Sequence, residues 1–208
     1  IGLRRFIPKL RQHRIDSPLS PGQFFRQVAD VFRSVSARIV VLGGVLYYAG
    51  IGTYVALWAY IYTYFWEFTT EQISIIAIPM ALAALFLPPA IARWGGGREK
   101  KTVAIAGLLG GMAINVIPIS LRLLGFFPEN GSDALFHIMI VAGFFETMLL
   151  LLFDISWRSM ISDLTERTEL ETGRRNEGVI SSTVAFASKS ADALGTLIAG
   201  TILALIAF

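Results

Sequence analysis

Five apolar runs dominate this chain, over residues 39–66, 72–92, 102–124, 135–157 and 178–208. Each approaches or exceeds the ~20 residues that an α-helix needs to cross a hydrocarbon layer of ~30 Å. The runs are too long, and alternate too little, to be strands of a membrane barrel. Charge is scarce as well: 16% of residues are charged, against about a quarter in a soluble domain. The mean hydropathy of +0.62 agrees. The sequence therefore predicts an all-α membrane protein in which the five runs are transmembrane helices.

The basic residues say how such helices are oriented. Of 18 Lys and Arg, 16 fall in the tail of residues 1–38 or in the loops after the second and fourth runs; Arg122 and Lys189 stand apart. The two intervening loops, around Glu67–Gln72 and Pro128–Asp133, hold no positive charge. Cytoplasmic loops concentrate Lys and Arg, so the tail is expected to be cytoplasmic, with the chain ending across the membrane. Within the tail, Ser20-Pro21 followed by Phe24, Phe25, Val28, Val31 and Phe32 suits a short amphipathic helix on the membrane surface. The odd number of spans, with Ile1 rather than Met at the start, leads us to expect a piece of a longer protein.

Other classes fit poorly. The net charge of +3 is distributed as loop charge, without a basic stripe interleaved with aromatics, so no nucleic-acid partner is expected. Without cysteine, thiolate metal sites and disulfides are excluded. His13 and His137 have no ligand-spaced partners, and no nucleophile–base pair stands out, so neither an enzyme nor a bound metal is expected.

Ionisable residues inside the spans are the candidates for function. A charge at the bilayer centre costs at least ~2.5 kcal/mol on insertion scales, so it needs a partner or a wet cavity. Lys189 lies about 15 Å along the last run if that helix enters near Val179. Asp192 shares its face, in a stripe of Ser182, Ala185, Lys189, Asp192, Thr196 and Ala199. Such a stripe suits either a packing seam or a solute pathway, and a seam does not require a lysine. Glu146 falls at mid-depth in the fourth run, where it could meet Lys189 across a helix interface or share its cavity. Asp154 and Arg158 are spaced i, i+4 and suit a helix-end ion pair. Pro79, Pro88, Pro89 and Pro118 predict kinked or unwound helices, and Gly107, Gly110 and Gly111 allow close helix approach.

The loop from Asp163 to Gly178 is the most specific stretch. Asp163, Glu166, Glu169, Gly173, Arg174, Arg175, Glu177 and Gly178 occur there in order. This pattern resembles the corresponding loop of the glycoside–pentoside–hexuronide:cation symporters, the melibiose permease-like branch of the major facilitator superfamily. Ser159–Asp163 looks like the end of that family's tenth helix. Phe186-Ala187-Ser188-Lys189, with Ala193-Leu194-Gly195, looks like its eleventh helix, where a lysine is tied to cation and sugar binding. Tyr64-Phe65-Trp66 and the Gly95–Lys101 loop fit its seventh helix and the loop between its eighth and ninth.

The resemblance implies a C-terminal major facilitator bundle, family helices seven to eleven, preceded by the central cytoplasmic loop in residues 1–38. It implies an inner-membrane symporter that carries a sugar or glycoside with a coupling cation, Na⁺ or H⁺, by alternating access. No other cofactor is implied, and the partners would be the solute, the cation, the bilayer and an N-terminal six-helix bundle. On this reading Lys189, Glu146 and Asp192 line the pathway. Asp163, Glu166, Glu169, Arg174, Arg175 and Glu177 form a cytoplasmic gate, for which a fixed topology anchor is the alternative role. A carrier of lysophospholipid or another amphiphile, or a non-transporting membrane sensor, would keep the same fold.

Overall fold

The computed structural model describes residues 22, 26, 28, 29, 32, 35–94, 97–172 and 177–206. The surface helix expected after Pro21 falls largely outside them. Among the described residues the chain is helical, without strands: α1 (Val35–Tyr60), α2 (Thr70–Trp94), α3 (Lys100–Leu123), α4 (Asp133–Thr172) and α5 (Glu177–Leu205).

The ends of these helices follow local chemistry. α1 passes into a π-helical turn, Ile61–Phe65, where the Trp66 amide donates to the Ile61 carbonyl at 3.0 Å. Asn130 Nδ2, from the α3–α4 loop, donates to the Phe65 carbonyl at 3.1 Å and fixes this widened turn. Thr69 and Gln72 then start α2 with a capping box: the Gln72 amide donates to Thr69 Oγ1 at 3.2 Å, and the Thr69 amide to Gln72 Oε1 at 3.0 Å. Ser132 caps α4 through the Leu135 amide at 3.3 Å.

Two expectations need correction. Of the kinks or unwinding foreseen at Pro79, Pro88, Pro89 and Pro118, the unwinding is absent, because helical backbone runs continuously through all four. A proline removes only one backbone hydrogen bond, and the neighbouring turns hold the rod; the irregular turn is at Ile61–Phe65 instead. The fourth helix was expected to end at the apolar boundary near Trp157, with a loop beyond it. Instead α4 continues to Thr172 and takes Asp163, Glu166 and Glu169 into its last turns. Leaving the hydrocarbon does not end a helix; that takes a breaking residue, and the stretch up to Gly173 contains neither Gly nor Pro.

Packing centres on two helices. α5 lies along α1, whereas the main packing partner of both α2 and α3 among the described residues is α4. Gly52 faces the Asp192 carbonyl, and Gly195 faces the Ala49 carbonyl, at distances that leave no space for a Cβ on either glycine. Thr53 Oγ1 ties this crossing by donating to the Gly195 carbonyl at 3.0 Å. Gly107 and Gly111 are likewise buried against α4.

One apolar cluster joins Val41, Phe153, Trp157, Ile180 and Val184 at the end with the basic loops. The other joins Tyr62, Trp66, Phe68, Ile76 and Leu135 at the opposite end. Most of the remaining apolar surface faces outward, including Leu85 at 70% and Leu197 at 68% exposure. In water that surface would be strongly unfavourable; in lipid it is solvated. α1 to α4 are long and apolar enough to cross a membrane. α5 has the length, but its most apolar stretch is interrupted by the polar stripe that carries Lys189 and Asp192.

Candidate functional site

The face of α5 resolves into two adjacent stripes. Val184, Ala191, Gly195 and Ala199 are buried and include the seam with α1. Beside them, Ser181, Ala185, Ser188, Lys189 and Asp192 line an open groove of about 430 Å³ between α5, α1 and α4. The two stripes meet at Val184 and Asp192, which belong to both, and Lys189 lies on the groove side. Lys189 is exposed within this structure and makes no ion pair with a described residue.

The opposite wall carries a network that sequence spacing only half disclosed. Arg158 Nε donates to Asp154 Oδ2 at 2.7 Å, closing the expected i, i+4 pair. Tyr48 Oη, from α1, donates to Asp154 Oδ1 at 2.6 Å and accepts from Arg158 Nη2 at 3.1 Å. Trp157 stands next to it, its ring 5.5 Å from that of Tyr48, and its indole N–H donates to the Val40 carbonyl at 3.1 Å. Tyr48, Trp157 and Arg158 all line the groove. Sequence reasoning missed the two aromatics, because nothing local distinguishes them from the tyrosines and tryptophans of the lipid face.

Glu146 is elsewhere. It is 3% exposed and lines a separate chamber of about 110 Å³ between α1, α3 and α4, with Tyr54, Trp58 and Asn115. The meeting of Glu146 with Lys189 that mid-depth positions suggested does not occur. Depth fixes only the height along each helix, and α5 lines no part of this chamber. Tyr54 and Asn115 are the polar neighbours that face the Glu146 carboxyl, and neither Tyr54 Oη nor Trp58 Nε1 closes a hydrogen bond of good geometry among the described residues. Asn115 Nδ2 is engaged with the Gly111 carbonyl at 3.2 Å. A chamber of this volume fits a few waters and no sugar ring.

The expected gate residues divide. Asp163 receives Lys100 Nζ at 2.7 Å on both carboxylate oxygens, an exposed pair linking α4 to the start of α3. Glu166 and Glu169 line a cavity of about 310 Å³ with Arg158, Thr165 and Ser181. Glu177 opens α5, and Arg174 and Arg175 lie outside the described residues. His137 is exposed, with Nδ1 2.7 Å from the Asp133 carbonyl. No group of His, Asp and Glu among the described residues is arranged to hold a metal ion.

Family comparison says what kind of helical membrane chain this is. The family of MFS/sugar transport proteins matches residues 5–208. The chain is a major facilitator. Members of this family are transporters of sugar-type substrates, so this major facilitator is a multi-pass membrane protein of a transport family. Comparison with curated proteins and with solved structures gave no match.

Proposed function

We propose that this major facilitator is a melibiose permease-like symporter, moving a sugar or glycoside together with Na⁺ or H⁺ by alternating access. The observation that carries the reading is the groove itself. At about 430 Å³ it has the volume of a small-molecule site, and its lining combines Lys189, Asp192 and Arg158 with the rings of Tyr48 and Trp157. Hydroxyl-rich solutes need charged hydrogen-bonding groups, and the apolar face of a sugar ring packs on an aromatic face. Lys189 sets the field of the pathway, and Asp192, one turn away, offsets it as solute and cation come and go. An N-terminal bundle of the same protein would close the groove's open side.

The Lys100–Asp163 pair fits a gate. It lies at the end where the basic loops lie, which the positive-inside rule assigns to the cytoplasm of an inner membrane. Exposed ion pairs contribute at most about 1 kcal/mol, so they exchange partners readily.

The test is uptake by the full-length protein in sealed vesicles, with labelled mono- and disaccharides and an imposed sodium or proton gradient. Gradient-driven accumulation that Lys189→Ala abolishes is expected. Accumulation of a lysophospholipid and no sugar would overturn the assignment of solute, and binding without flux would overturn transport.

A further inference from the structure

α2 and α3 both rest on α4, and residues of all three helices line a second groove. It has a volume of about 440 Å³ and runs along α4 from Phe145 to Ser159. That is fourteen residues, or roughly 21 Å at the helical rise. One leaflet with its headgroups is about half of the 40–45 Å total bilayer thickness, so the groove is one leaflet deep.

Its chemistry changes along that depth as a lipid's does. Leu87 and Ile91 of α2, Val103 of α3, and Leu149 and Leu152 of α4 line the apolar part. Ser156 and Ser159 follow on α4, and Arg98 and Lys100, from the α2–α3 connection, stand at the mouth. Ser156 is 8% exposed, makes no hydrogen bond to a described residue and lines the groove. Lys100 is held by Asp163, whereas Arg98 has no ion-pair partner among the described residues. Arg98 and Lys100 against Asp163 leave an excess of one positive charge at the mouth. Phe145 and Ile155 of the lining are exposed, as lipid-facing side chains are.

We infer that this groove holds one anionic phospholipid, with an acyl chain along α4 and the phosphate between Arg98, Lys100 and the Ser156 hydroxyl. A single phosphate charge matches the excess at the mouth, and basic pockets between membrane helices are suited to anionic headgroups. The inference rests on the membrane-spanning fold and not on the identity of the solute.

Native mass spectrometry of the delipidated full-length protein, titrated with phosphatidylglycerol or phosphatidylcholine, tests it without solute or gradient. The expected result is one phosphatidylglycerol per chain, bound at least about tenfold more tightly than phosphatidylcholine. Arg98→Gln, at an exposed loop position where folding is not at risk, is expected to remove that preference. Ser156→Phe is expected to block both lipids by filling the mouth. Equal retention of the two lipids, an unchanged preference in Arg98→Gln, or no retained lipid because another segment covers the groove would each overturn the assignment.

Discussion

Lys189 and Asp192 bracket the midpoint of α5, where an ammonium is tolerated because its groove is open. Lys189→Ala is expected to fold normally and to lower sugar uptake at least about tenfold, measured as the initial rate in vesicles. Glu146 makes a different case. Its carboxyl is buried beside Tyr54 and Asn115 with no basic side chain lining its chamber, so the isosteric Glu146→Gln should not reduce thermal stability in detergent. If the chamber belongs to the transport cycle, the same variant reduces gradient-driven uptake; normal uptake and coupling would remove Glu146 from the mechanism. Tyr48→Phe deletes one hydroxyl that bridges Asp154 and Arg158, with an expected cost of about 1 kcal/mol in unfolding measurements. The charged members of these sites were legible in the sequence, because an ionisable residue inside an apolar run is conspicuous. Tyr48 was not, since its role comes from Asp154, 106 positions away. The separation of Glu146 from Lys189 was equally hidden, because helix depth carries no information about which neighbours a helix chooses.

Among the helices, the seam between α1 and α5 brings two backbones into close contact, with Gly52 and Gly195 each set against a backbone carbonyl of the partner helix. A methyl at either position must push the backbones apart, unlike one at a site facing a flexible side chain. Gly195→Ala is expected to destabilise by about 1–3 kcal/mol, read from thermal unfolding in detergent, and to widen the groove that holds Lys189. An equal change in Gly50→Ala, where a methyl meets open space, would argue against this account. The apolar runs located the spans to within a few residues at most ends, since length and hydropathy are properties of a single segment. They overlooked the extension of α4 to Thr172, where a polar sequence with good helix formers continues the rod. They also overlooked the π-turn, whose widened geometry depends on Asn130 from a distant loop.

Taken whole, the chain turns most of its apolar surface outward, and no more than 22% of residues in any of the four clearest spans are buried within it. Its order therefore depends on lipid and on whatever else of the protein adjoins the groove. The absence of cysteine makes sidedness simple to measure. Glu99→Cys and Glu129→Cys are expected to react with a membrane-impermeant thiol reagent from opposite faces, with the first on the inner side. Labelling of both from one face would contradict the assigned topology. α4 has a further mechanical consequence. At 40 residues it is roughly 60 Å long, more than the full bilayer thickness. Glu146, Asp154 and Asp163 therefore share one continuous helix. Were that helix to tilt about its middle during a transport cycle, its far end would sweep furthest, and the acidic side chains there would move with the interior without any separate linkage.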